Sequence, residues 1–317
     1  MALKAEFTDV QIVKAASGFY QGNSREIALL SKGIMIALVV WALVWPANAN
    51  NVLGSVNWKL LGSFNAFYII IVGLFSVFLC VVAVLPQTGR RLMGKEGEKP
   101  EFSNFSWFSM MFGAGLGVGL MVFAAAEPIG LWGSNPVVLS GAVEPNTEAA
   151  LQSGYRYTFL HYGFHAWAIY VVTGLSLAYY AYTRGMPLTI RSALTPLFGK
   201  AVNGFLGHIM DVVGVVATIL GVSVTSADSG ILVMNTIMSG GEQKTGIKHR
   251  IVWGVILTLV IGTLLIAGKT NGGSDPMEAL RSAMIIGALP FTMLMGLMCI
   301  SLGKAMWLDH KRIQVKK

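Results

Sequence analysis

Long stretches without Asp, Glu, Lys or Arg constrain this chain more than any other feature of its sequence. Six such stretches approach or exceed the roughly 17–25 residues that a helix needs to cross hydrocarbon. They are residues 33–58, 60–89, 102–126, 157–183, 251–268 and 282–303. A seventh candidate lies within 201–239. The runs are continuous rather than alternating, which favours helices over a barrel. The sequence predicts an all-α, polytopic helical membrane protein with about seven transmembrane segments.

The charge composition agrees with this class. Only 12% of the residues are charged, against roughly 25% in a typical soluble domain. The net charge of +8 comes from short loops and tails, which indicates cytoplasmic segments rather than nucleic-acid binding. No cleavable signal peptide is recognised. We therefore expect a cytoplasmic tail over 1–32, a transmembrane domain over 33–303 and a basic cytoplasmic tail over 304–317. Cys80 and Cys299 lie in apolar runs and predict no disulfide or metal framework.

The distribution of basic residues assigns the loops to sides of the membrane. The loops 90–99 and 184–200 are basic and predicted to face inward, whereas 127–156 is mainly acidic and predicted to face outward. The segment 201–239 breaks this alternation, because basic residues flank it on both sides. Either one basic loop lies on the unexpected side, or the segment bends and enters and leaves on the same face.

A dense run of glycines occupies the third apolar stretch, in FGAGLGVGLMVFAAAEP, residues 112–128. Glycine costs a helix roughly 1 kcal/mol relative to alanine, so this density needs a reason. Small residues four apart allow close helix packing. A locally unwound span would instead present free carbonyls to a ligand or cation. A dinucleotide fingerprint is disfavoured, because no strand precedes the run.

Several motifs resemble those of the betaine/choline/carnitine transporter (BCCT) family. The glycine run ending in Ala126-Glu127-Pro128 resembles its third span. LHYGFHAWAIYVVTGLSLAYYAYTRGMPLTIRSALTPLFG, residues 160–199, is similar to its fourth span and the following loop. VTSADSG, residues 224–230, resembles its tenth span. WGVILTLVIGTLLIAG and SAMIIGALPF are similar to its last two spans. The resemblance covers most of the chain from about 33 to 303.

The resemblance implies an incomplete version of a twelve-span, leucine-transporter-like fold built from inverted repeats. Residues 207–225 resemble the first half of the fifth span, and 224–230 resemble the second half of the tenth. This implies a large internal deletion with its junction near 222–226. In the family both half-spans adjoin the cytoplasm, so a bent segment would satisfy the basic flanks.

Family members hold a quaternary ammonium group in an aromatic cage through cation–π attraction. The resemblance carries this role to Tyr162, Trp167 and Tyr170, and assigns Gly115, Gly117 and Gly119 to the substrate side of the third span. Trp167 and Tyr170 are three residues apart and share a helix face, which is equally typical of a packing stripe. The main cage wall of the family belongs to an absent span, so a complete cage is not expected.

The resemblance also implies a sodium site. Its hydroxyl ligands would be Thr225 and Ser226, and backbone carbonyls near Gly113 and Leu116 would complete the set. Thr218 would belong to a second cation site whose usual partner position is occupied by Val222. The Thr225 and Ser226 hydroxyls are alternatively expected to bond to the preceding helical turn, in which case sodium binds too weakly to matter.

The remaining polar groups carry weaker hypotheses. His161 and His165 have a spacing that can serve a metal, but burial or hydrogen bonding is favoured, and no metal beyond sodium is predicted. Asp211 and Asp228 lie in apolar sequence, where charges are functional by default; Asp228 is alternatively a helix cap. Neither enzymatic activity nor an organic cofactor is predicted.

Two functions remain open from the sequence. The first is sodium-coupled secondary transport of a quaternary ammonium or zwitterionic osmolyte (glycine betaine, choline or carnitine) across a bacterial inner membrane, with both tails cytoplasmic and a homotrimer implied by the resemblance. The glycine run contains no acid, which favours a zwitterion such as glycine betaine. The second is a non-transporting remnant, because alternating access needs complete repeats.

Overall fold

The computed structural model describes residues 7–94, 97–100, 102–115, 118–223, 227–242, 246–270 and 275–316. The α-helices in these ranges are α1 (Arg25–Val44), α2 (Pro46–Val84), α3 (Pro86–Gly89), α4 (Asn104–Gly115), α5 (Val118–Ser134), α6 (Pro136–Leu139), α7 (Glu148–Tyr162), α8 (Phe164–Ala178), α9 (Thr195–Phe198), α10 (Phe205–Val222), α11 (Ala227–Met238), α12 (Ile247–Lys269) and α13 (Glu278–Lys316). A π-helix covers Tyr179–Thr183, and 3-10 helices cover Ile190–Leu194 and Gly199–Asn203. The all-α prediction is confirmed.

Five of the described helices are long and apolar enough to cross a membrane, namely α1, α2, α10, α12 and α13. The predicted fourth span is divided between two shorter helices, since α7 ends at Tyr162 and α8 begins at Phe164. In the predicted third span, α4 and α5 cover the described residues on either side of 116–117, which lie outside the described residues.

The predicted limits of the first two spans, 33–58 and 60–89, are wrong. The first helix begins at Arg25 and ends at Val44, and Pro46 starts a second helix that runs through Lys59 to Val84. Proline lacks the amide proton and clashes with the preceding helical turn, so it ends one helix and can begin another. The first charge-free run begins only after Lys32, which is buried within α1. The run therefore missed the start of this helix.

The segment predicted as a basic C-terminal tail is helical where the structure describes it, because residues 304–316 continue α13 without a break. Its cytoplasmic location stays a prediction. Helix α13 packs along α2 and α10, and α12 packs against α1. Side chains from α1, α10, α11, α12 and α13 form the main buried core, with Trp253 as its largest fully buried residue.

The basic segments that were predicted to share one side of the membrane converge at one end of the molecule. Three guanidinium groups surround Asp309 near the end of α13: Arg184 at 3.0 Å, Arg312 at 3.1 Å and Arg91 at 3.4 Å. The hydroxyl of Tyr179 also donates to this carboxylate. The loop 90–99, the loop 184–200 and the end of α13 are therefore held together, as a common membrane side requires.

Candidate substrate and cation site

The predicted aromatic residues lie on both sides of a break in the fourth span. Gly163 separates α7 from α8, and a Cβ atom there would lie 2.3 Å from the carbonyl oxygen of Phe159. Only glycine fits such a close backbone approach. Tyr162 is consequently the last residue of α7, whereas Trp167 and Tyr170 lie one turn into α8.

Trp167 and Tyr170 are brought together as predicted. Their ring centroids are 5.9 Å apart with an interplanar angle of 44°. Both rings are open to the surroundings, with Trp167 46% and Tyr170 66% exposed. Tyr162 is half-buried, and its ring lies 4.7 Å from that of His161. The structure therefore contains one aromatic pair with open faces and a third ring beyond the helix break, rather than three rings enclosing one point.

His161 joins the third span to the fourth. Its Nδ1 lies 2.7 Å from Oε1 of Glu127 on α5. Nearby, a Cβ atom on Gly154 of α7 would lie 3.3–3.4 Å from the backbone of Leu131 and Trp132, so α5 and α7 are in close contact. His161 thus has a carboxylate partner that holds these helices together, and no group of three potential metal ligands occurs in the described part of the chain.

Only part of the predicted glycine and sodium set lies within the described residues. Gly113 and Gly115 are in the last turn of α4, and Gly119 is in the first turn of α5. Leu116, Gly117, Thr225 and Ser226 lie outside the described residues. The Thr218 hydroxyl is described, and it donates to the carbonyl of Gly214 at 2.7 Å. Bonding of this kind is the alternative predicted for Thr225 and Ser226, for which it stays a prediction.

The segment 201–239 folds back on itself. A Cβ atom on Gly230 of α11 would lie 2.4–2.8 Å from the Val222 side chain at the end of α10. At the other end, a Cβ atom on Gly214 would lie 3.7 Å from Ile237. Residues 222 and 214 thus face 230 and 237, which is the order of an antiparallel helical hairpin. The bent alternative describes this segment, and its two ends lie at the same end of the molecule.

A buried ion pair that sequence analysis missed joins the loop before α10 to the hairpin. Both Arg191 and Asp211 are fully buried. The Arg191 Nε donates to Asp211 Oδ2 at 2.6 Å, its backbone amide donates to Oδ1 at 3.1 Å, and Nη1 donates to the Val202 carbonyl at 3.3 Å. The isolated Asp211 in apolar sequence was the available signal, but its partner belongs to the preceding loop. Its role in the structure is to fix that loop to α10.

An apolar cavity of about 470 Å³ lies beside the exposed aromatic pair. Trp167, Ala168, Val171 and Leu175 line it from α8, while the end of α2 forms the facing wall. Arg91 supplies a charged group to its lining. All four donor interactions described for this arginine go to protein oxygens, on Gln87, Tyr179, Asp309 and Met306. The cavity is therefore mainly an apolar recess.

Comparison with known proteins identifies the family of this chain. The model of the betaine/carnitine/choline transporter family (BCCT) matches residues 26–225 and 222–311, which together include most of the chain. The chain belongs to this family. The two matched stretches overlap at 222–225, and Val222 is the last residue of α10; an internal deletion near 222–226 stays a prediction.

Individual relatives of this BCCT chain carry transporter names. It is 36% identical to the glycine betaine transporter OpuD of Bacillus subtilis over 239 residues, which are 75% of this chain and 45% of that protein. It is 33% identical to a probable glycine betaine transporter of Desulfitobacterium hafniense over 81% of this chain and 49% of that protein. A high-affinity choline transport protein of Escherichia coli is 32% identical over 74% of this chain and 34% of that protein. The BCCT chain spans about half the length of the curated relatives it matches, or less.

Proposed function

We propose that the function of this BCCT chain is sodium-coupled transport of a quaternary ammonium osmolyte. The proposed substrate is a zwitterion such as glycine betaine. The observation that carries the proposal is the family match together with relatives named as glycine betaine and choline transporters. The glycine run contains no acidic residue, which supports a zwitterion as the substrate, because a negative charge in the run would suit the cation choline better. The proposed location is a bacterial inner membrane with both tails cytoplasmic, and the proposed assembly is a homotrimer.

The proposed substrate contacts are the Trp167–Tyr170 pair and Tyr162, together with the glycines at 115, 117 and 119. A quaternary ammonium group has no hydrogen-bond donor, so ring faces are its natural partners. A cation over an exposed ring gains about 0.5–1 kcal/mol, and about 2 kcal/mol only where water is excluded. Because both rings are about half exposed or more, this pair alone supports weak binding.

The proposed coupling-ion ligands are the carbonyls near Gly113 and Leu116 and the hydroxyls of Thr225 and Ser226, with Thr218 toward a second site. Sodium is a hard cation, so we expect it to need several oxygen ligands at about 2.3–2.5 Å, as calcium does. Such precision requires rigid neighbours. The Thr218 hydroxyl already donates to its own helix, which supports a weak second site.

A second candidate, a non-transporting remnant, is favoured by the hairpin. Inverted-repeat transporters work by rocking one set of spans against another around a central site. In this chain α10 and α11 instead return to the same end of the molecule, within the main core. We therefore propose that the chain keeps elements of the substrate site but has negligible uptake when it acts alone.

Uptake of labelled glycine betaine into proteoliposomes tests the two candidates. We expect accumulation at the level of empty vesicles under a sodium gradient, while the Bacillus subtilis relative accumulates substrate under the same conditions. A binding assay with labelled glycine betaine then compares Trp167→Ala with the control Trp107→Ala, another exposed tryptophan. Loss of weak binding only in Trp167→Ala supports the proposed site. Saturable, sodium-dependent uptake would establish the transporter and exclude the remnant.

A further inference from the structure

A buried lysine lies among three aromatic rings, away from the proposed substrate site. Lys32 of α1 is 5% exposed. Its ammonium nitrogen lies 4.9 Å from the ring centroid of Tyr20, 5.5 Å from that of Trp253 and 5.6 Å from that of Phe19. No ion pair to a carboxylate is found for it in the part of the chain that the structure describes. The rings therefore replace the usual counter-ion.

The hydrogen bonds of His249 complete this arrangement. Lys32 Nζ lies 3.2 Å from His249 Nδ1, and His249 Nε2 lies 2.9 Å from the carbonyl oxygen of Phe19. An ammonium group only donates, and a carbonyl oxygen only accepts. These partners assign the neutral tautomer of His249 that accepts at Nδ1 and donates from Nε2. The imidazole ring also stacks on Tyr20, with centroids 5.4 Å apart.

The rings belong to two different parts of the chain. Trp253 lies in α12, whereas Phe19 and Tyr20 belong to the segment before α1, residues 7–24, which we call the N-terminal strap. The strap touches both ends of the hairpin. Its Gln11 amide bonds to the Asn203 side chain, just before α10, and its Ser24 amide bonds to the carbonyl of Met238, the last residue of α11.

We propose that Phe19, Tyr20 and Trp253 form an internal cation site, occupied by Lys32, that fastens the N-terminal strap across the two ends of the α10–α11 hairpin. A buried cation without a counter-ion is costly, so the rings and Lys32 stabilise each other's position. The strap's ion pair outside this site, Lys14 with Glu242, is 30% and 60% exposed. An exposed pair of this kind contributes little, so we expect the buried cation site to hold the strap more strongly than this ion pair does.

Hydrogen–deuterium exchange of the full chain in nanodiscs tests the proposal. The Ser24 amide donates to the Met238 carbonyl of the hairpin, so its exchange reports release of the strap, whereas the amides of Ala15 and Gly22 donate within the strap and report its local order. We expect Lys32→Met, which keeps the length of the side chain but removes its charge, to speed exchange over residues 15–24 about tenfold. Peptides from α12 should stay protected. The matched control Lys14→Met, which removes the exposed ion pair, should change strap exchange less than twofold. Equal exchange in Lys32→Met and the unmodified chain would overturn the proposal.

A pair of variants on the strap separates ring contact from other causes. Tyr20→Phe keeps the ring face and should leave exchange unchanged, whereas Tyr20→Leu keeps apolar volume but removes the face and should speed exchange. If Tyr20→Phe releases the strap as much as Tyr20→Leu, the cation–π explanation is wrong. If Lys32→Met also speeds exchange in α12, the two Tyr20 variants still test the proposal. Faster strap exchange in Tyr20→Leu alone supports the site, and unchanged exchange in both variants overturns it.

Discussion

Polar or aromatic groups interrupt the apolar sequence in both the α10–α11 hairpin and the α7–α8 pair, but the burial of these groups differs. In the hairpin region Arg191 and Asp211 are fully buried and paired, and glycines allow close packing. On α8 the rings of Trp167 and Tyr170 remain open. Buried polar groups must find partners within the protein, whereas an open ring needs none. The hairpin is therefore a buried structural unit, whereas the α8 rings lie on an exposed face.

The sidedness of the hairpin gives the largest expected effect. In a variant with Cys80 and Cys299 replaced by alanine, single cysteines at positions 200 and 248 should be labelled by a membrane-impermeant reagent from the same side of a sealed vesicle. Both positions are exposed at the end where the hairpin begins and ends. Labelling from opposite sides would mean that the segment crosses the membrane as one straight span, contrary to the hairpin.

Breaking the buried ion pair should strongly destabilise the hairpin. Asp211→Ala leaves the Arg191 guanidinium buried without its counter-charge, and removing one partner of such a pair costs about 3–5 kcal/mol. Thermal unfolding in detergent measures the loss. The control is Arg281→Ala, which breaks an ion pair with Asp275 whose side chains are about half exposed and should cost about 1 kcal/mol or less. Similar losses in both variants would contradict the structural role of Asp211.

The tip of the hairpin should be sensitive to a single methyl group. Gly230→Ala introduces a Cβ atom within 2.4–2.8 Å of Val222, and overpacking of this kind costs about 1–3 kcal/mol. Gly221→Ala is a matched control in the same hairpin, because no described residue has an atom within 4 Å of its added Cβ atom. Alanine there should be neutral or stabilising by up to about 1 kcal/mol. Melting temperatures compare the two, and a more stable Gly230→Ala variant would show that the helices do not meet as described.

The exposed face of α8 should tolerate truncation. Trp167→Ala removes a half-exposed ring and should cost about 1 kcal/mol or less, whereas Trp253→Ala empties a fully buried site and should cost about 3–5 kcal/mol. Thermal unfolding of both variants measures the difference in stability loss between the exposed α8 face and the buried core. A large loss in Trp167→Ala would indicate that this face is covered by packing.

Sodium should have the smallest effect. We expect sodium and potassium at equal ionic strength to give the same melting temperature, because the Thr218 hydroxyl is bonded within its own helix and Thr225 and Ser226 are expected to behave likewise. A sodium-specific increase that disappears in the variant with Thr225→Ala and Ser226→Ala would demonstrate a working cation site.

Much of the architecture was predictable from local sequence. Charge-free runs identified the helical membrane class, and the basic flanks of 201–239 raised the possibility of a bend that the structure contains. The limits of α1 and α2 were not predictable from charge-free runs, because Lys32 counts as a boundary in sequence and is buried in the structure. Pro46 was the better signal, since its effect on helices is local. The neighbouring positions of Trp167 and Tyr170 followed from helical spacing alone.

By itself the sequence determined properties that depend on composition and on near neighbours: the membrane class, the family and the shared helix face of Trp167 and Tyr170. Tertiary structure alone decided the pairing of Arg191 with Asp211, the position of Lys32 among Phe19, Tyr20 and Trp253, and the exposure of the α8 rings. The physical reason is that a buried charge is stabilised by groups that folding brings close. Along the chain, Arg191 is 20 residues from Asp211, and His249 is 217 residues from Lys32. At such separations the sequence spacing indicates no contact.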